Sequence, residues 1–164
     1  MCLDRRYTVE EKKEFLDTID TEWIEVWKMV GNPAKFHNKN KRWYSWFQFG
    51  TYEDGHNKCP KSFERIKTGN GKKYTPYYHF YLGRPLKEVK DNVRASYCQK
   101  IIICYVRKKD ISTVGTQNLA PVYESTVTIV AREAFFPAYP NTDLTNEEKI
   151  KYGIPIEAKE IQNA

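Results

Sequence analysis

The residues with the most chemical potential lie in two basic, ring-rich stretches. Lys35, Lys39, Lys41 and Arg42 lead directly into Trp43, Tyr44 and Trp46, and Lys72 and Lys73 lead into Tyr74, Tyr77 and Tyr78. Cations of this kind neutralise phosphates, and flat rings beside them stack on bases or nucleosides. Arg84 and the run Arg107-Lys108-Lys109 carry the same chemistry further along the chain. His79, inside Tyr77-Tyr78-His79-Phe80-Tyr81, adds an imidazole that titrates near neutrality and can stack on a ligand or donate a hydrogen bond to it. The candidate ligand-binding set is therefore Lys41, Arg42, Trp43, Trp46, Lys72, Lys73, Tyr77, Tyr78, His79, Arg84 and Arg107. The plainer alternative is that the rings fill a core, the lysines solvate loops and His79 bonds to backbone at a core edge.

Two other arrangements offer catalysis or metal binding. With the initiator Met removed, Cys2 would carry a free amine beside its thiol and could act as a nucleophile, although no Gly-rich oxyanion segment follows it. His56-Asn57-Lys58-Cys59 has the two-residue spacing of a zinc knuckle, with His37 and Cys98 or Cys104 as further ligands. A zinc module shows two such knuckles and this chain has half of one, so no metal is expected and His56 and Cys59 are weak candidates. Gly-x-x-x-x-Gly-Lys, Gly-x-Ser-x-Gly and His-Glu-x-x-His are all missing from the sequence. No cofactor is expected.

The distribution of charge sharpens the picture. The chain has 164 residues, 40% hydrophobic, with a formal net charge of +6. Residues 1–34 carry a net charge of −3, residues 35–109 a net of +13 and residues 110–164 a net of −4. The middle segment also holds 15 of the 24 aromatic residues. A basic, aromatic middle between acidic ends favours an anionic partner. The longest apolar run, Ile101 to Val106, is far short of the ~20 residues of a membrane helix. The first residues lack the apolar stretch of a secretory signal, and the four cysteines are scattered. Reduced thiols and a cytoplasmic location are the expectation.

The elements that must position these residues read as a single α+β domain over 1–155, a mostly antiparallel sheet with two or three short helices, and a loosely ordered tail at 156–164. Thr8-Val9-Glu10-Glu11 is a capping box that opens a helix over about 9–18, and Thr145-Asn146-Glu147-Glu148 opens a short last helix closed by Gly153 and Pro155. Alternation from Trp23 to Val30 predicts a first strand ended by Gly31-Asn32-Pro33. A second aromatic strand is expected at 43–49, irregular chain over 50–76 with a tight turn at 68–71, and a short strand from Tyr77 to Leu82. Pro85 precedes a helix expected over about 86–95. Gln99 to Arg107 and residues 126–136 are the two apolar β-type runs expected at the centre of the sheet.

Several fragments together resemble a loose set of small uncharacterised proteins from phages and prokaryotes. They are Met1-Cys2-Leu3, Val26-Trp27-Lys28, Tyr78-His79-Phe80, Val106 to Ile111 with Gly115-Thr116-Gln117, and Val127 to Arg132. The resemblance implies no activity and no catalytic residue, but it points to a viral or mobile-element binder, acting in the host cytoplasm if viral. The leading expectation is a protein that captures a phosphate-bearing ligand, a nucleotide signal or a nucleic acid strand, without turnover. One alternative is a small enzyme that uses Cys2, or His79 with Glu133, a pairing similar to the ring clamp and carboxylate of ADP-ribose-handling folds. The other is a protein-only interaction module, with a homo-oligomer left open.

Overall fold

Side-chain alternation decides the first long strand. In the computed structural model, which describes residues 3, 5–31, 41–44, 51–59, 66–67, 73–74, 77–85, 87, 99–117 and 126–156, Ile24, Val26 and Val30 face one core and Trp27 faces another. The elements, in chain order, are β1 (Arg5–Arg6), α1 (Val9–Asp17), β2 (Trp23–Gly31), β3 (Gly55–Lys58), β4 (Ile66–Lys67), β5 (Lys73–Tyr74), β6 (Tyr78–Leu82), β7 (Gln99–Arg107), β8 (Ile111–Gln117), β9 (Thr126–Ala131), β10 (Glu133–Phe136) and α2 (Asn146–Tyr152). The result is an α+β fold: eight strands form one antiparallel sheet in the order β1-β8-β9-β6-β2-β7-β10-β3, and β4 pairs separately with β5. The β2·β7 ladder is its longest, running from Trp23 opposite Arg107 to Gly31 opposite Gln99.

Residues 126–136 are not one strand. Arg132 divides them, and the two halves lie on opposite sides of β6, β2 and β7. In a flat sheet those halves would be about 19 Å apart, at ~4.8 Å per strand. One intervening residue spans at most about 7 Å, so the sheet must curl until β9 and β10 meet. β7 and β8 make a matching corner through the 3-10 turn Lys108–Asp110, and the Arg132 amide donates to the Asp110 carbonyl at 2.9 Å to tie the corners together. Inside the curl lie Phe80, Ile102, Cys104, Val106, Ile129 and Phe136, with Phe15 and Leu16 of α1 packed against them. Outside it, Trp27, Tyr81, Ile103, Tyr105 and Phe135 are covered by Leu144 and Ile154 from the C-terminal segment.

Both capping boxes form. The Glu11 amide donates to Thr8 Oγ1 at 3.1 Å, the Glu148 amide to Thr145 Oγ1 at 3.2 Å, and each glutamate accepts from the cap residue's amide in return. Gly153, at φ 76°, ends α2 in the left-handed region. The chain returns to Gly31 at Tyr44, whose ring lies where a Cβ at Gly31 would sit, so a side chain there is excluded. The rest of the strand expected at 43–49, the turn at 68–71, most of the helix expected at 86–95 and the tail from residue 157 lie outside the described residues. No helix among the described residues is long and apolar enough to cross a membrane.

Ile102 is fully buried at the centre of the inner core. Ile102→Val should cost ~0.5–1.5 kcal/mol, read as a lower urea midpoint with an unchanged slope. A midpoint equal to that of the parent would mean the inner face is not closely packed.

Candidate functional site

Five of the sequence candidates come together where the two corners meet. Arg107, at the end of β7, donates through Nε to Asp110 Oδ2 at 2.7 Å and reaches Glu133 Oε1 at 3.5 Å. Its guanidinium lies over the rings of Trp23 and Phe135, at 5.8 and 5.5 Å from their centroids. Glu133, the first residue of β10, also engages His56 Nε2 at 2.9 Å and Lys58 Nζ at 3.9 Å from the neighbouring strand β3. The His56 ring is stacked on Phe135 at 4.6 Å, with 7° between the planes. Cys59 is buried beside them, with its amide donating to the Arg132 carbonyl at 2.9 Å. Tyr77 completes the group, with the exposed Arg132 guanidinium 6.0 Å above its ring.

The electrostatics of this corner are positive. Lys58, Arg107, Lys108, Lys109 and Arg132 surround the two carboxylates Asp110 and Glu133, and both carboxylates are already engaged by cations. Lys108 donates to the Ile19 carbonyl, whereas Lys109 is exposed. Burial pushes the Cys59 thiol up, against the hydrogen bond from Tyr78 that works the other way. That direction disfavours a thiolate nucleophile. Among the described residues no group of three His, Cys, Asp or Glu is placed to hold a metal ion.

The remaining candidates are dispersed. Arg42 pairs with Glu53 at 2.7 Å, Lys41 is exposed with φ 47°, and Trp43 is buried with its ring edge-on to Tyr139 at 4.8 Å. Arg84 is held by Glu25 at 2.7 Å and Asp143 at 3.0 Å. Tyr78 points into the inner core, and burial raises its phenol well above the usual value. His79 is on the opposite face of β6, its Nδ1 enclosed without a hydrogen-bond partner, and burial followed by the nearby Lys28 charge lowers its pKa to about 4. Lys73 lies on β5, and Cys2, Trp46 and Lys72 lie outside the described residues.

Arg132 and Lys58 are members of the corner that composition did not single out. A signal for Arg132 was present: the adjacent charges Arg132-Glu133 interrupt the apolar stretch 126–136 where one strand ends and the next begins. Lys58 lies in Gly-His-Asn-Lys, which has no strong strand former, and its strand exists through pairing with β10. Searches against protein-family models, curated proteins and solved structures match this chain to none of them.

Proposed function

We propose that the protein binds a phosphate-bearing ligand, a nucleotide or a nucleic acid strand, at the corner of β3, β10 and the Lys108–Asp110 turn, and holds it without turnover. The observation that carries this reading is Arg132, exposed at the strand break over Tyr77 and with no carboxylate partner among the described residues. A guanidinium resting on a ring face keeps its N–H groups available for a bidentate anion, and phosphate matches that geometry. The exposed Lys58 and Lys109 add charge, while Trp23, His56 and Tyr77 provide flat surfaces. The raised Cys59 thiol favours binding over covalent catalysis at this position.

The test is a titration of a nucleotide panel and of short DNA and RNA strands at two salt concentrations. Affinity should fall as salt rises, because binding releases counterions from the ligand. Arg132→Ala should weaken binding about tenfold, the loss of one charge-assisted hydrogen-bonded contact. If nothing binds above background at low salt, the reading is wrong and the charge serves solubility or an acidic protein partner.

A further inference from the structure

We infer, resting on the phosphate-binding reading, that the ligand of this corner is a single nucleic acid strand laid along β3, with one base stacked on the outer face of His56. Among the described residues β3 is the last strand of the sheet: β10 pairs with one of its edges and no described strand pairs with the other. Its residues alternate, Gly55 and Asn57 buried, His56 and Lys58 exposed. Same-face neighbours on a strand are about 6.7 Å apart, close to the advance of one extended nucleotide, so a ring and an ammonium at this spacing suit a base and its phosphate.

His56 is built as a platform. Phe135 covers one face of the imidazole in a near-parallel stack, Glu133 fixes the ring plane through Nε2, and 41% of the side chain is still exposed. The strand beneath it is braced on both sides. Asn57 donates through Nδ2 to the carbonyls of Glu53 and Gly55 at 2.8 and 3.0 Å, and its Oδ1 accepts from the Glu53 amide at 2.9 Å. Tyr152 of α2 lies against Gly55 and packs on Phe135. A platform held this way loses little freedom when a base arrives.

Openness favours a strand over a free nucleotide. A small ligand gains its affinity from enclosure, typically burying ~70–90% of its surface in a concave site. Here the groups face outward: the Lys58 side chain is 56% exposed, and Lys109 and Arg132 are exposed as well. A strand gains instead from successive phosphates and bases, each contributing modestly.

Fluorescence anisotropy with a labelled single-stranded 12-mer, a matched duplex and mononucleotides tests this on the full chain. The single strand should bind at least 100-fold more tightly than any mononucleotide, and more tightly than the duplex. Its log–log salt slope should be about −2, for three phosphates neutralised by Lys58, Lys109 and Arg132 at ~−0.7 each. His56→Ala should weaken strand binding about 5- to 100-fold, the range for a lost base–ring stack, while His56→Tyr keeps the affinity within a few-fold. Thermal unfolding of each variant confirms an intact fold. Mononucleotides binding as well as the strand, or an unchanged affinity in His56→Ala, would overturn the strand inference and leave phosphate binding standing. Failure of every phosphate ligand would remove both.

Discussion

Arg84→Ala is expected to destabilise the protein by ~3–5 kcal/mol, although its side chain is 40% exposed. The cost arises at its partner. Glu25 is only 6% exposed, and Arg84 donates to its two oxygens at 2.7 and 3.1 Å, with the Tyr105 hydroxyl adding a third hydrogen bond at 3.1 Å. Removing the guanidinium leaves a buried carboxylate facing one phenol. The same guanidinium donates to Asp143 at 3.0 Å, so it also pins the C-terminal segment to the outer face of the sheet. Glu25→Gln should cost less, about 1–2 kcal/mol, because the freed guanidinium can turn to water. Arg84→Met with Glu25→Leu should recover much of the loss, as apolar replacements of buried pairs do. Urea unfolding at pH 7 measures all three. A loss below ~1 kcal/mol in Arg84→Ala would class the pair with ordinary surface ion pairs.

The contrast between Arg84 and Arg132 shows where a reading of sequence stops. Local rules located what local rules control: both capping boxes, the alternating strand from Trp23 and the apolar strand from Gln99 are present in the structure. The charges at Arg132 mark a strand end locally, but that β9 and β10 lie on opposite sides of β6, β2 and β7 follows from the curl of the whole sheet, which no window of ten residues contains. Where a strand begins is equally decisive. Tyr77 and Tyr78 are adjacent, yet Tyr77 lies at the corner under Arg132 whereas Tyr78 packs on the inner core and meets the corner only through its hydrogen bond with Cys59. Composition marked both, and what separates them is that β6 begins at Tyr78, opposite Ala131, which leaves Tyr77 just outside the ladder. β3 was hidden because its stability comes from its neighbours and from the Asn57 hydrogen bonds. Lys28, by contrast, was legible: it occupies the inward position between Val26 and Val30, where an apolar residue belongs.

That misplaced charge and its neighbour His79 should make stability rise with pH in two separate windows. Burial lowers Lys28 to about 8, and its Nζ donates to the His79 carbonyl at 2.9 Å beside the rings of Phe80 and Tyr52. His79 is lowered to about 4, first by burial and then by the Lys28 charge. In both cases the unfolded chain binds the proton more tightly, so stability increases with pH between the folded and unfolded values. For His79 the contribution is complete above ~6.5 and is lost as pH falls towards 4, about 3 kcal/mol in all. For Lys28 the contribution climbs from pH 8 towards 10.5, by a similar ~3 kcal/mol. The thiols of Cys104 and Cys59, both raised by burial, act in the opposite sense from about pH 8.5 upward and the phenols of Tyr78 and Tyr105 from about 10, so the alkaline quantity to read is the stability of the parent relative to Lys28→Met. Urea unfolding at pH 4, 5.5, 7, 8.5 and 9.5 resolves both windows. Carboxylates also contribute to the acid loss, so the informative quantity is the stability of the parent relative to His79→Gln, which should rise by about 3 kcal/mol on going from pH 4 to 7. Lys28→Met should flatten the alkaline rise and stabilise the protein at pH 7. It should also reduce the acid loss, because without the ammonium charge the His79 pKa moves back towards 6.5. If Lys28→Met leaves the acid limb unchanged, the two groups do not sense each other and His79 is held neutral by burial alone.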